Sequence, residues 1–151
     1  MSDQREIQAQ LASIPLFARC HPSDLRVVAS HCTVRDFPAN TTLIRAGEQA
    51  NDLYIVLRGS ARRGPDTGPT REFGPGDYFG ELAVLDPAPR SLDVVTTSDC
   101  TVAILSRAAF LLVLDAVPGV APQLLQFLAR RLREADLREE HETIGPSLGR
   151  P

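Results

Sequence analysis

The chain has 151 residues, about the size of one domain, and a formal net charge of −3. Its 43% hydrophobic and 23% charged residues are typical of a soluble globular protein, and its longest apolar run, residues 108–114, is far shorter than the ~20 residues that a membrane-spanning helix needs. The N-terminus is polar, and basic residues are not in excess. Together these features argue against a membrane protein, a secreted precursor and a dedicated nucleic-acid-binding protein.

Residues 1–31 have the pattern of short helices. Apolar residues recur at close to helical spacing up to Ile14, and Pro15 ends that run. A second short helix is predicted after Pro22, where a serine and an aspartate precede the apolar residues Leu25, Val27, Val28 and Ala29.

From residue 33 to residue 106 the sequence is typical of short β-strands joined by glycine-containing turns. Strands rich in β-branched and aromatic residues at a spacing of about 8–12 residues indicate a sandwich, roll or barrel. The predicted strands are residues 33–37, 41–45, 52–57, 70–73, 92–97 and 100–105.

Helices return after the last predicted strand. Ser106 is the predicted N-cap of a helix over residues 107–116, and a longer helix is predicted over about residues 121–140. The arginines of the longer helix are expected to form a solvated face. Its apolar stripe is expected to pack on the domain, with a dimer seam as the alternative, and consists of Ala121, Leu125, Leu128, Leu132 and Ala135.

The segment over residues 76–95 carries the strongest functional signal. A one-turn helix starting near Gly80 would leave backbone N–H groups without partners, an arrangement that attracts phosphate, and glycine allows a ligand to approach the backbone. Arg90 could add a bidentate contact to the same phosphate, and Glu81 could accept a hydrogen bond from a sugar hydroxyl. Glu81 or Arg90 taken alone is more typical of a solvated surface residue. Together with Gly80 they predict a site for a phosphorylated sugar.

The stretch FGELAVLDPAPRS, residues 79–91, resembles the phosphate-binding cassette of cyclic nucleotide-binding domains, which in outline is F-G-E-L-A-L, a short loop and P-R-[AST]. Further motifs follow in family order, among them IPLF at residues 14–17, the Ala-Gly-Glu turn at residues 46–48 and the strand at residues 54–56 followed by a glycine. The resemblance covers about residues 10–140. It implies that the last helix folds over the base of the ligand as a lid.

The resulting fold class is mainly β with flanking helices: a β-roll (a double-stranded β-helix or jelly roll) with N-terminal helices and a C-terminal lid helix. We expect the domain to span residues 1–140, with the helical N-terminus at 1–31, the β-roll at 33–106 and the C-terminal helices at 107–140. A flexible tail is expected over residues 141–151.

The resemblance also implies a role for each matching position of the cassette. Glu81 would bind the ribose 2′-hydroxyl, Arg90 would bind the exocyclic oxygens of the cyclic phosphate, and Gly80 would keep the approach open. Ser91 would add its hydroxyl or its N–H. The backbone N–H groups that would complete the phosphate cradle belong to Leu82, Ala83 and Leu92.

Three positions depart from the family pattern. Leu92 stands where a small alanine is usual, and Asp93 places an acid near the site, where its charge would repel the phosphate if its side chain pointed at it. Where the bacterial transcription activators of the family carry a Thr-Ser pair near the adenine, this chain has Ala135 and Asp136. Asp136 could accept a hydrogen bond from an adenine amino group, and Arg133 could stack on either purine, so the preferred base stays open.

The cysteines and histidines give no sign of catalytic or metal chemistry. Cys20, Cys32 and Cys100 include no C-x-x-C pair, which argues against a disulfide framework and a structural zinc site. A jelly-roll metalloenzyme of the cupin type needs clustered histidines, and no histidine occurs between His31 and His141. We therefore expect neither an enzyme nor a bound metal.

The predicted function is a stand-alone regulatory module that binds a cyclic purine nucleotide, cAMP in preference to cGMP, and signals by movement of its C-terminal helix. A ligand-free β-roll scaffold for protein–protein interaction, with a degenerate cassette, is the alternative that Leu92 and Asp93 favour. We expect no cofactor besides the ligand, a cytoplasmic location, an unidentified protein partner downstream, and contact with neither membrane nor nucleic acid. A homodimer through the C-terminal helix is left open.

Overall fold

The computed structural model describes residues 4–49, 51–64, 70–87, 90 and 92–144, and for residues 82, 83 and 138–144 it describes the backbone only. Within these residues the helices are Gln4–Ala12 (α1), Pro22–His31 (α2), Glu81–Leu85 (α3), Arg107–Ala116 (α4) and Val120–Ile144 (α5), with a short 3₁₀ helix at Pro15–Phe17. The strands are Thr33–Phe37 (β1), Thr42–Ile44 (β2), Leu53–Arg58 (β3), Ala61–Arg63 (β4), Arg71–Phe73 (β5), Tyr78–Phe79 (β6), Val94–Thr96 (β7) and Cys100–Leu105 (β8).

The strands form two antiparallel sheets that face each other as a β-roll. Among the described residues one sheet has the order β1-β8-β3-β6 and the other the order β2-β7-β4-β5. The predicted β-roll with flanking helices is confirmed.

Strand β3 shows how the alternation of side chains builds two cores. Leu53, Ile55 and Leu57 pack into a core shared with the helices, whereas Tyr54 and Val56 point into the roll between the sheets. Successive side chains of a strand point to opposite faces, so an apolar strand with both faces covered joins the two layers. The helical layer contributes Ile7 and Leu11 of α1, Leu25 and Val28 of α2, Phe110 and Val113 of α4, and Val120 and Leu124 of α5.

Most predicted elements lie within one or two residues of the observed ones. Strand β8 and helix α4 have the predicted bounds, and the Ser106 side chain accepts a hydrogen bond from the Ala109 N–H at 3.1 Å, as expected for an N-cap. Strands β4 and β6 were not predicted. Both are short and bordered by glycines, and they exist because they pair with neighbours distant in sequence.

The prediction that the apolar stripe of the last helix packs on the domain holds for Leu128, which lies against the helical core, but not for Leu125 and Leu132. Leu125 and Leu132 are 65% and 64% exposed, and α5 instead enters the core through Val120 and Leu124. Neighbouring residues of a helix lie about 100° apart around its axis, so burial of Leu124 turns Leu125 outward. Helix α5 also continues to Ile144, so the first residues of the predicted tail are helical, and residues 145–151 lie outside the described residues.

In the described part of the chain, no single helix is long and apolar enough to cross a membrane. Only the combination of Arg107–Ala116 with Val120–Leu137 reaches that length and composition, and these two segments are bent by 115° at the break between them.

Candidate functional site

Gly80 lies at the junction between β6 and α3, where the backbone takes a conformation that glycine favours. Its φ angle is +93°, and a Cβ atom at this position would lie 2.5 Å from the carbonyl oxygen of Asp52. The preceding residue, Phe79, is fixed in the roll by stacking on Tyr54 and by contact with Phe73, with ring centroids 5.1 and 4.8 Å away. The roll interior therefore determines where the backbone of Gly80 comes close to Asp52.

The backbone of Arg90 is held by the Ala-Gly-Glu turn at residues 46–48. The Arg90 N–H donates to the Glu48 carbonyl at 3.0 Å, and the Gly47 N–H donates to the Arg90 carbonyl at 2.7 Å. This two-way pairing explains why the turn and the arginine occur together. It fixes the direction in which the Arg90 side chain leaves the backbone.

The Arg90 guanidinium lies beside Gly80. Its Nη2 donates to the Asp52 carbonyl at 3.0 Å, and Nη1 and Nη2 would be 3.3 and 3.4 Å from a Cβ atom on Gly80. Burial lowers the pKa of Arg90, an effect that Tyr54, Asp52 and Glu81 oppose, and the group remains a cation at neutral pH. Its buried Nε finds no hydrogen-bond partner among the described residues. The site thus has a partly desolvated cation able to bind an anion.

Glu81 begins α3 and is only 3% exposed. Its carboxylate accepts a hydrogen bond from Nη1 of Arg131, a residue of α5. The Arg131 guanidinium also lies over the Phe127 ring at 5.8 Å, and the Phe127 ring packs against Tyr78 of β6 with centroids 4.8 Å apart. A buried carboxylate needs such a partner, and this one connects the last helix directly to the cassette.

The residues predicted for the site fall into three groups. The structure brings Gly80, Glu81 and Arg90 together, and it places the backbones of Leu82 and Ala83 in the first turn of α3. Leu92 is 42% exposed, Arg133 and Asp136 are exposed on α5, and no hydrogen bond within the described residues joins the latter two to the cassette. Ser91 lies outside the described residues. The ligand-binding roles of all of these residues stay predictions.

Asp93 has a structural partner of its own. Its carboxylate accepts a hydrogen bond from the Ala46 N–H at 2.6 Å, and its backbone carbonyl accepts one from the Gly64 N–H at 3.1 Å. Asp93 therefore helps to hold the same turn that fixes the backbone of Arg90. This gives the acid a reason to be there that is independent of any contact with a phosphate.

Two contributors to the site were not predicted. Arg131 was expected to belong to the solvated face of the last helix, and Arg130 and Arg133 are indeed exposed, but Arg131 is turned toward Glu81. The Asp52 carbonyl is a backbone group, which no sequence pattern marks. The arginine-rich composition of α5 was the one available signal for Arg131, and it did not distinguish one arginine from the next.

Among the described residues, no three His, Cys, Asp or Glu side chains come together in a way that could hold a metal ion. Cys32 is a free cysteine, and burial raises the pKa of its thiol to about 12, so it stays protonated and unreactive at neutral pH.

A family model and a curated relative each match more than half of the chain. Residues 34–116, more than half of the chain, match the family model described as cyclic nucleotide-binding domain. The chain is 32% identical over 131 residues to a CRP-like cAMP-activated global transcriptional regulator of Mycobacterium tuberculosis, which covers 83% of this chain and 58% of the regulator.

Solved structures agree with the fold. The catabolite activator protein of Thermus thermophilus is 33% identical with a TM-score of 0.78, over 85% of this chain and 63% of that one. The regulatory subunit of a cAMP-independent protein kinase A from Trypanosoma brucei is 29% identical with a TM-score of 0.70, over 82% of this chain and 46% of that one. The chain therefore spans less than two thirds of the length of each of these relatives.

Proposed function

Because this chain belongs to the cyclic nucleotide-binding domain family, we propose that it binds a cyclic purine nucleotide at the cassette formed by Gly80, Glu81 and Arg90 and acts as a regulatory module rather than an enzyme. The observation that carries the proposal is the Arg90 guanidinium, partly buried beside Gly80 with its Nε free of partners among the described residues. A cyclic phosphate is an anion with two exocyclic oxygens, which a guanidinium fork matches.

The other cassette residues complete this assignment. Glu81, buried at the start of α3, binds the ribose 2′-hydroxyl, while the backbone N–H groups of Leu82 and Ala83 point toward the phosphate from the first turn of the helix. Ser91, through its hydroxyl or its N–H, and the backbone N–H of Leu92 add contacts to the phosphate. Among mononucleotides we propose cAMP over cGMP, which is supported by the cAMP-activated relative. The regulatory role of the cAMP-activated relative supports a module that passes on a signal, and we propose that it does so to a partner protein in the cytoplasm.

The direct test is thermal unfolding of the purified chain with cAMP, cGMP or 5′-AMP. A ligand at about 100 times its dissociation constant stabilises the native state by about 2.7 kcal/mol, which for a domain of this size raises Tm by roughly 5–10 °C. We expect this increase with cAMP, a smaller one with cGMP, and none with 5′-AMP, which lacks the cyclic phosphate. Unchanged Tm at millimolar cAMP and cGMP would contradict the proposal and favour the ligand-free scaffold.

The proposal extends to α5 as the element that reports binding. Arg131 joins α5 to the carboxylate that we assign to the ribose, and Phe127 joins α5 to β6 directly before Gly80. A ligand that binds Glu81 therefore contacts the residue to which Arg131 of α5 donates its hydrogen bond. Ligand binding at the cassette is coupled to the position of α5 when the ligand makes different contacts in two positions of the helix.

Amide hydrogen exchange can detect this coupling. With saturating cAMP we expect exchange over residues 128–137 to slow by roughly fivefold or more, equivalent to about 1 kcal/mol of added local stability, while α2 serves as an internal control. In Arg131→Met the same segment should respond less, even at saturation. Equal exchange in α5 with and without ligand would rule out the helix as the reporting element.

A second copy of the chain is the partner that α5 fits best. Leu125, Leu132 and Ala135 recur at the seven-and-three spacing of a two-helix seam, and the structure leaves Leu125 and Leu132 exposed, whereas Leu128 packs against the helical core. A two-fold interface needs a surface that complements itself, which a single apolar helix stripe provides. We therefore include a homodimer through α5 in the proposed function.

Light scattering coupled to size-exclusion chromatography tests the dimer. Wild type is expected at twice the chain mass, and Leu132→Glu, which places charges in the seam, is expected at the monomer mass. Leu137→Glu is the matched control, because Leu137 is 59% exposed on the same helix but lies off the stripe. A wild-type monomer at 100 µM, on the order of the concentration at which weak dimers form, would exclude this partner.

A further inference from the structure

Asp93 lies directly before a central strand of one sheet. Strand β7 runs between β2 and β4, and its first residue, Val94, pairs with Ile44 on one side and with Arg63 on the other. One residue earlier, the Asp93 carbonyl accepts a hydrogen bond from the Gly64 N–H at 3.1 Å, which continues the pairing with β4. The sheet therefore fixes the backbone of Asp93, although the residue is exposed.

The side chain of Asp93 continues the contact on the side of β2. Backbone pairing between β2 and β7 ends with the last residue of β2, and beyond it the Ala46 N–H donates a hydrogen bond to the Asp93 carboxylate at 2.6 Å. Residues 45–49 are exposed, so packing contributes little to their position. The ion pair between Arg45 and Glu48 is exposed as well, and such pairs stabilise little. The Asp93 hydrogen bond therefore ties an exposed turn to the sheet.

The turn that Asp93 holds supports the backbone of Arg90. The Arg90 N–H donates to Glu48 and the Arg90 carbonyl accepts from Gly47, so both backbone groups of this residue bond to the turn. A binding side chain needs its supports held to within about 0.5 Å of the productive geometry. If the turn lost its contact with the sheet, the backbone of Arg90 would move with it. The guanidinium fork would then lose its alignment with the phosphate.

The negative charge of Asp93 has only a small effect at the same place. Because Asp93 is exposed, water and salt screen its charge. Burial lowers the pKa of Arg90, and the groups that oppose this effect are not Asp93 but Tyr54, Asp52 and Glu81. A charge that acts so weakly on the guanidinium also acts weakly on a phosphate bound to it. The loss of alignment is therefore the larger of the two effects.

We propose that Asp93 is a positioning residue of the ligand site: it anchors the turn at residues 46–48 to the sheet, aligns Arg90 with the phosphate, and thereby strengthens the binding of a cyclic nucleotide. This inference rests on the proposed function, because it concerns the same phosphate at Arg90. The effect is opposite in sign to the repulsion expected from an acid near the site. Asp93 then no longer favours a ligand-free scaffold.

Calorimetric titration of wild type, Asp93→Ala and Asp93→Asn with cAMP and with cGMP at one fixed salt concentration tests the inference. Both variants remove the charge, but only asparagine keeps a side-chain oxygen that can accept from the Ala46 N–H. We expect Asp93→Ala to weaken cAMP binding by about tenfold, a common coupling between residues of one hydrogen-bonded network. Asp93→Asn should restore binding to within roughly threefold of wild type. Repulsion would instead make both variants bind more tightly.

Asp99→Ala is the matched control. Asp99 is also exposed, and its carboxylate accepts a hydrogen bond from the Ala39 N–H at 3.1 Å. The turn that it holds contacts the opposite end of β7, where the Asn40 N–H donates to the Thr96 carbonyl. Asp99→Ala and Asp93→Ala should therefore lower Tm without ligand by similar amounts, whereas only Asp93→Ala should weaken cAMP.

A second measurement shows whether the effect of Asp93 passes through Arg90. A lysine binds a phosphate as a flexible point charge and does not depend on the alignment of a planar fork. Adding Asp93→Ala to Arg90→Lys should therefore weaken cAMP by no more than about twofold, instead of the tenfold expected in the wild-type background.

Each result has one meaning. If Asp93→Ala binds cAMP as tightly as wild type or more tightly, or if Asp99→Ala weakens cAMP equally, the inference is overturned and the proposed function stands. A full tenfold loss in the Arg90→Lys background would also overturn it, since the effect would not pass through the guanidinium. If wild type binds neither cAMP nor cGMP, the proposed function fails together with the inference.

Discussion

Replacing Arg90 with glutamine is expected to reduce the affinity for a cyclic nucleotide by roughly 30-fold to several-thousand-fold. The guanidinium is partly buried beside Gly80, so a phosphate bound there would form charge-assisted hydrogen bonds in a partly desolvated site. Removing one member of such a pair costs about 2–5 kcal/mol of binding free energy, or roughly 30-fold to several-thousand-fold in Kd. The increase in Tm with cAMP should disappear at concentrations that saturate wild type.

The same substitution should leave the fold intact. Arg90→Gln loses the hydrogen bond from Nη2 to the Asp52 carbonyl, but it also removes a cation whose burial is unfavourable. We therefore expect the free energy of unfolding without ligand to change by no more than about 1 kcal/mol. Arg90→Lys, which keeps the charge but not the planar fork, should have intermediate affinity. Wild-type affinity in Arg90→Gln would show that the phosphate binds elsewhere.

Local sequence patterns were sufficient to predict the strands that have strong β propensity and the helices that have clear caps. Cys100–Leu105 and the helix capped by Ser106 are the best examples, because alternation, β-branching and an N-cap are properties of adjacent residues. The cassette was also predicted from residues close together in the sequence, since Gly80, Glu81 and Arg90 lie within one short segment. The structure places these three residues together and adds the turn at residues 46–48 as the support of Arg90.

The features that could not be predicted depend on pairing between distant residues. Glu81 and Arg131 are separated by 50 positions, and their contact requires the direction in which α5 leaves the helical core. Arg63 of β4 and Arg71 of β5 face each other because of the register of these two strands, and β4 was not predicted because glycines border it. The outward turn of Leu125 follows from the burial of Leu124, a choice between two apolar neighbours that periodicity alone does not make.

Gly80→Ala is expected to reduce stability by about 2–5 kcal/mol and to prevent ligand binding. A residue with a Cβ pays about 1–2 kcal/mol to adopt a left-handed conformation, and the φ angle of Gly80 is +93°. The new methyl group would also lie 2.5 Å from the Asp52 carbonyl oxygen, which adds the cost of overpacking, about 1–3 kcal/mol. The carbonyl has little freedom to move, because it accepts the hydrogen bond from Arg90. Denaturant unfolding and the Tm increase with cAMP measure the two effects.

Gly76→Ala separates backbone strain from close approach. Gly76 has nearly the same φ angle, +92°, but a Cβ atom there would meet no atom within 4 Å. The variant should lose only the conformational part, about 1–2 kcal/mol, and should keep its response to cAMP. In Gly80→Ala the methyl group must push away either Asp52 or the Arg90 guanidinium, so binding fails for a geometric reason that Gly76→Ala does not share. Equal losses of stability and of ligand response in the two variants would show that the approach of Gly80 to Asp52 is not what positions Arg90 for the phosphate.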